Sequence, residues 1–185
     1  MDAIKNILNR RSSKKLVPPY PSEDEMRIVY KAALRAPDHA WLRPSSFIEV
    51  TGKGLDKLSD IFSSYAIDNI KDLNELKIKK YKNAPYRAPM IIILISSIKA
   101  HPKVPKIEQM LSTSAAAQNI LLALNALGYG AIWRTGLFAL NKMIGQYFDL
   151  SENQEILGYL YIGTTEQNLD AAPDVDIDKF VTKWK

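Results

Sequence analysis

Helical and strand-like hydrophobic patterns alternate along the chain from its first residues. Ile4, Ile7, Leu8 and Arg11 follow i, i+3, i+4, i+7 spacing behind Asp2, a suitable N-cap, which predicts a short amphipathic helix over residues 2–11. The run RRSSKK, residues 10–15, then lies on its last turn and just beyond. After the proline-rich turn VPPYP, Ser22 and Glu25 form a capping-box pattern. They open a second helix that buries Met26, Val29, Tyr30, Ala33 and Leu34 and ends at Pro37. SFIEVTG reads as a strand, and Leu55, Leu58, Ile61, Phe62 and Tyr65 mark a third helix. Residues 70–87, the most charged part of the chain, predict an exposed helix followed by a proline-punctuated turn. The continuous apolar run MIIILIS predicts a strand buried on both faces.

The stretch from Gln109 to Trp133 carries no charge. It nevertheless holds Ser112, Thr113, Ser114, Gln118, Asn119 and Asn125, too many polar groups for a lipid-facing span, so no membrane segment is expected. It reads instead as a buried central helix from about Lys106 to Leu127, stopped by Gly128, followed by the strand YGAIW. A helix apolar on nearly every side must be covered on every side, and a second subunit is expected to supply part of that cover. Met143, Ile144, Tyr147 and Phe148 suit a short helix, EILGYLYIGT a last core strand, and AAPDVDID an acidic tail. The predicted class is α+β: one domain over residues 1–185, with a mainly antiparallel or mixed sheet packed among helices.

With 185 residues and 46% hydrophobic content, the chain can bury a core of its own. Its formal charge of +5 suits an anionic cofactor or substrate without requiring nucleic acid. The absence of cysteine excludes disulfides, thiolate catalysis and iron–sulfur ligation. His39 and His101, the only histidines, cannot build a histidine-rich metal site, so no metal is expected. With acidic Asp2 and no apolar run of signal-peptide length at the start, a cytoplasmic location is expected.

Three segments carry candidate chemistry. RRSSKK reads either as helix termination, its cations meeting the negative end of the dipole, or as a phosphate site built from guanidinium forks and a hydroxyl. There is no glycine-rich phosphate loop, so any nucleotide held here is held by side chains. RAPDHAWLRP, residues 35–44, brings a helix end, a proline and a histidine together. WRTG, residues 133–136, ends a strand in an aromatic ring, a cation, a hydroxyl and a glycine, each ordinary in a turn and each useful at a ligand. The lysines at 77, 79, 80 and 82 are interleaved with acids upstream and one aromatic, which favours a solvated helix face over a nucleic-acid platform.

In their order and distances these segments resemble the flavin-dependent nitroreductase family, most closely its small branch of NAD(P)H nitroreductases. The resemblance covers nearly the whole chain. It rests on NRRSS at 9–13, RAPDH at 35–39, NAPYRAPMIII at 83–93, HPKVPKIEQ at 101–109, GYGAIWRTG at 128–136 and ILGYLYIGT at 156–164. It implies a nitroreductase-like fold, FMN as cofactor, NADH or NADPH as donor, and a homodimer with flavin sites at the subunit interface. By the same resemblance, Arg10, Arg11 and Ser12 reach the flavin phosphate and ring, with Arg35 and His39 supplied by the same subunit. Trp133, Arg134 and Thr135 come from the other subunit. Ala123, Leu124, Asn125, Ala126, Leu127 and Gly128 occupy a position assigned to NAD(P), though they read equally as core helix.

The chemistry implied belongs to the flavin, with no catalytic side chain required. NAD(P)H delivers hydride to N5 and departs, and a nitroaromatic or quinone then takes electrons from the same face in a ping-pong cycle. Arg10 or Lys14 supplies positive charge near N1 and O2, and His39 donates to the ring or phosphate. Arg43 and Ser45 depart from the resemblance, which expects Gln and Trp on either side of Pro44; an added cation and a lost ring bear on which acceptor is used. Other flavin chemistry on the same scaffold, such as dehalogenation, desaturation or flavin breakdown, and a non-enzymatic basic interaction protein are the alternatives.

Overall fold

The structure is a computed structural model describing residues 2–166 and 174–185; residues 171–173 of the predicted acidic tail lie outside the described residues. Among the described residues six α-helices occur, α1 (Ala3–Asn9), α2 (Glu23–Ala33), α3 (Gly54–Asn69), α4 (Glu75–Lys82), α5 (Lys106–Ala126) and α6 (Lys142–Gln146). Four strands, β1 (Ser45–Thr51), β2 (Met90–Ser97), β3 (Gly130–Arg134) and β4 (Gln154–Gly163), form one sheet in the order β1-β2-β4-β3. Every strand pairing in it is antiparallel.

The β2 run is buried on both faces because each face has its own core. Ile91, Ile93 and Ile95 pack with Leu58, Phe62 and Tyr65 of α3. Met90, Ile92 and Leu94 pack with α2 and α5. On β4 the alternation slips, since Leu157 joins the α5 side while Tyr159 joins the α3 side. A register shift between Leu94 and Ile95 at the pairing with β4 leaves Leu157 unpaired and produces that slip, beside Gly158 at φ +147°. A Cβ on Gly158 would overlap the Trp133 indole and lie 2.9 Å from the Arg134 carbonyl oxygen. The glycine therefore leaves room for the Trp133 indole against β4.

The polar residues of the uncharged helix tie loops to it. Gln109 exchanges two 2.9 Å bonds with the Lys99 backbone, Asn119 donates to Ala32 O at 3.0 Å, and Thr113 donates to Ser96 Oγ at 3.3 Å. The cover expected from a second subunit comes largely from α1, α2 and the sheet of the same chain. Ile107 and Leu111 of α5 nevertheless stay exposed, as do Ile4, Ile7 and Leu8 of α1 and Phe180 and Trp184 near the C-terminus. Leu34, expected in the core, is exposed, because α2 ends at Ala33 and Leu34 caps it outside the packed face. Among the described residues no helix is long and apolar enough to cross a membrane.

Candidate active site

Asp2 caps α1 as predicted, accepting from Lys5 N at 3.0 Å, but the helix ends at Asn9 and Arg10 turns extended, with ψ 132°. RRSSKK thus lies wholly beyond the helix. Its backbone instead joins the sheet edge. Ser12 bridges Ala131, Ser13 N–H donates to Ala131 O at 3.0 Å, and Val17 exchanges bonds of 3.0 and 2.8 Å with Thr164. Gly130 makes the close approach possible, since a Cβ there would stand 2.9 Å from Leu16 Cδ2 and 3.0 Å from Ser13 Oγ.

Helix termination and ligand binding divide between the two arginines. Arg11 Nη1 turns back to Leu8 O at 2.7 Å and Arg10 O at 2.9 Å, capping the open end of α1. Its Nε is buried with no partner among the described residues. The half-buried Arg10 side chain makes no hydrogen bond or ion pair among the described residues and is free for a ligand.

The WRTG segment leaves β3 beside this edge. Trp133 is half-buried and donates Nε1–H to Leu157 O at 3.3 Å. Arg134 lies with its guanidinium 5.3 Å from the centre of the Tyr161 ring, and its Nε is also buried without a partner. Thr135 is exposed, and Gly136 turns the chain at φ +65°. Together with Tyr81, Arg87 and Tyr161 they line a cleft of about 480 Å³. Burial pushes the Tyr161 hydroxyl up to about 12, with Arg87 and Arg134 acting against it. A cleft bordered by two guanidinium groups, one with an unmet N–H donor, suits an anionic, planar group.

RAPDH stands elsewhere on the chain. Ser112 Oγ donates to Pro37 O at 2.7 Å, and His39 Nδ1 is 2.6 Å from Glu108 Oε2, so the loop is fixed to the first half of α5. α1 is fixed to the second half, through Asn6 Nδ2 to Leu122 O at 2.9 Å and Asn125 Nδ2 to Asn6 Oδ1 at 2.7 Å. From Ser112 to Leu122 the helix rises about 15 Å. One chain therefore unites RRS with WRTG and anchors His39 at the opposite half of α5 from α1. The expectation that WRTG reaches the site only from the other subunit is thus met by a bridge that joins it to RRS within one chain.

The segment from Ala123 to Gly128 is the last turn and stop of α5. Leu124 is fully buried, Leu127 N–H bonds Ala123 O at 3.0 Å, and Gly128 has φ +89°. Such a turn presents the negative end of the helix dipole, an unfavourable neighbour for a dinucleotide's phosphates. Sequence reasoning missed Arg87, Tyr161 and Glu108. Glu108 lay within a matched motif, but nothing in the spacing marked it as the partner of His39.

Residues 7–164 match the profile described as Nitroreductase family. YdjA of Escherichia coli (strain K12), provisionally named an NAD(P)H nitroreductase, is 34% identical over 183 residues, covering 98% of this chain and 99% of its own. The crystal structure of a nitroreductase-like family protein from Bacillus cereus superposes with a TM-score of 0.85 at 20% identity, over 100% of this chain and 97% of its own. A protein from Desulfovibrio desulfuricans, provisionally named a nitroreductase and solved in complex with FMN, superposes with a TM-score of 0.77 at 19% identity, over 100% and 98%.

Proposed function

The chain belongs to the nitroreductase family, and from that premise we propose that it is an FMN-dependent oxidoreductase passing electrons from NADH or NADPH to a nitroaromatic or quinone-type acceptor. The observation that carries this reading is the clasp of Ser12 to Ala131, which sets the unpaired Arg10 guanidinium beside the strand that ends in Arg134, whose buried Nε has no partner among the described residues. Leaving the Arg134 donor unmet is costly, and an anion in the cleft offers it an acceptor. FMN is the fitting anion, as in the D. desulfuricans relative solved with it. NAD(P)H is the fitting donor, as the name of YdjA has it, and the supply of reduced nicotinamide fits a cytoplasmic setting.

When bound, FMN supplies the two-electron chemistry for donor and acceptor in turn. The chain's own residues hold and tune it. Arg10 and Arg134 offer guanidinium donors to its anionic groups, Ser12 and Thr135 offer hydroxyls, and Trp133 offers a ring edge next to them. Arg35 and His39 complete the site from a second subunit in this reading, which the anchoring of His39 on Glu108, at the other half of α5 from α1, favours. The homodimer this requires is supported by the exposed apolar row of α1 and by Val175, Ile177, Phe180, Val181 and Trp184.

Purified protein tests the reading directly. One FMN released per chain, and oxidation of NADH or NADPH that depends on an added nitroaromatic or quinone, are expected. Parallel double-reciprocal lines are expected when donor and acceptor are both varied. Colourless protein that takes up no FMN on titration overturns the proposal, and intersecting lines overturn its ping-pong order.

A further inference from the structure

The loop after α2 builds a second cleft, of about 450 Å³, within the size range of small-molecule sites. Arg35, Asp38, Trp41, Arg43, Ser45 and Ser112 are among the residues lining it. Neither guanidinium makes a hydrogen bond or ion pair among the described residues. The one carboxylate, Asp38, is engaged, its Oδ2 accepting from Arg43 N–H at 2.6 Å. Both serine hydroxyls are engaged as donors, Ser112 to Pro37 O and Ser45 to Thr113 Oγ1. The lining thus carries two unpaired cations against one carboxylate, a net positive charge, beside the indole of Trp41, which is 77% exposed.

The backbone holding these groups is unusual. Ala40, Trp41 and Arg43 have φ of 59°, 54° and 47°, a left-handed conformation disfavoured for any residue with a Cβ. Three such residues within four positions hold an apolar ring in solvent and a cation beside it, and strain of this kind gathers at ligand sites. An indole offers a stacking face, and an adjacent guanidinium offers a planar fork for a carboxylate or a phosphate.

We propose that this cleft is an acceptor subsite for planar aromatic anions, and that Arg43 makes the enzyme prefer electron acceptors bearing a negative group on the ring. The inference rests on the flavin reading above, in which Arg35 and His39 of this loop border the cofactor. Arg43 and Trp41 lie outside the proposed flavin-holding set, so their substitution leaves FMN content intact.

The test compares 4-nitrobenzoate with its neutral isostere 4-nitrobenzamide as acceptors. In Arg43→Gln the ratio of kcat/KM for the two falls by about tenfold or more, whereas Arg43→Lys keeps most of the preference. Trp41→Ala lowers kcat/KM for both acceptors by a similar factor. An unchanged ratio in flavin-loaded Arg43→Gln overturns the proposal. So does a ratio that stays fixed while the preference between NADPH and NADH moves, which assigns the cations to the donor's additional phosphate. Calorimetric titration with 4-nitrobenzoate separates this inference from the flavin reading. If the wild-type chain binds no FMN but loses 4-nitrobenzoate binding on Arg43→Gln, the cleft stands and the flavin reading falls; if it binds FMN but no 4-nitrobenzoate, the cleft falls alone.

Discussion

Ser13 and Ala131, far apart in sequence, share a backbone hydrogen bond of 3.0 Å that clasps the basic N-terminal segment to the strand carrying Trp133 and Arg134. The clasp brings Arg10, Arg11 and Arg134 to one edge of the sheet, where two Nε atoms lack partners. Arg10→Ala and Arg134→Ala are each expected to cost about 1.5–3 kcal/mol of FMN affinity, a ten- to hundredfold loss. Quenching of flavin fluorescence on titration measures it. Unchanged affinity in both variants would remove this edge from the cofactor site.

Gly158 is expected to be the least replaceable glycine near the site. Its φ of +147° and the overlap of any added Cβ with Trp133 mean that Gly158→Ala must displace the indole or the bulge. The expected loss is about 2–4 kcal/mol, seen as a fall in Tm of roughly 4–16 °C. Combined with Trp133→Ala, the second substitution should cost less than it does alone, because the ring it collides with is gone. Strict additivity in thermal unfolding would show that the indole is not the obstacle.

What was legible in the sequence was local. MIIILIS announced a strand with no wet face, Ser22 and Glu25 announced the capping box that forms at the start of α2, and Gly128 announced the stop of α5. What was not legible depends on partners distant in the chain. The row Ile4, Ile7, Leu8 shows that α1 has an apolar face but not that its own chain leaves it bare. The clasp between Ser12 and Ala131 has no periodic signature, so the pairing of RRS with WRTG was beyond reach. The left-handed residues at 40, 41 and 43 carry no glycine or asparagine to mark them.

Tyr161 gives the fold a signature at high pH. Burial raises its hydroxyl from 10 to about 12, against the pull of Arg87 and Arg134. The folded state thus holds this proton more tightly than the unfolded one. The associated stability is complete below the unfolded value and is lost as pH rises from there through the folded value, by about 2–3 kcal/mol in all. Urea unfolding at successive pH values should therefore show a shallower alkaline decline for Tyr161→Phe than for the wild type. Arg134→Ala, which removes a cation that favours the ionised form, should move Tyr161 further up in a spectrophotometric titration. An unchanged value would mean that Arg134 does not stand near the Tyr161 hydroxyl in solution.

The division of the site between subunits is open to a complementation experiment whose outcome depends on which segments share a chain. If RRS and WRTG of one chain meet RAPDH of its partner, a heterodimer of Arg134→Ala and His39→Ala chains has one site carrying both lesions and one carrying neither. Mixed, refolded and verified as heterodimers, these chains should regain about half of the tight FMN binding that either lacks alone. Arg10→Ala mixed with Arg134→Ala should regain nothing, because each site then takes its RRS–WRTG edge from one damaged chain. The opposite result, recovery in the second mixture and none in the first, would place WRTG across the interface from RRS, which the bridge between Ser12 and Ala131 within one chain speaks against. Sedimentation of the wild type supplies the remaining control, since a monomer that retains FMN would mean that a single chain closes the site without Arg35 and His39 of a partner.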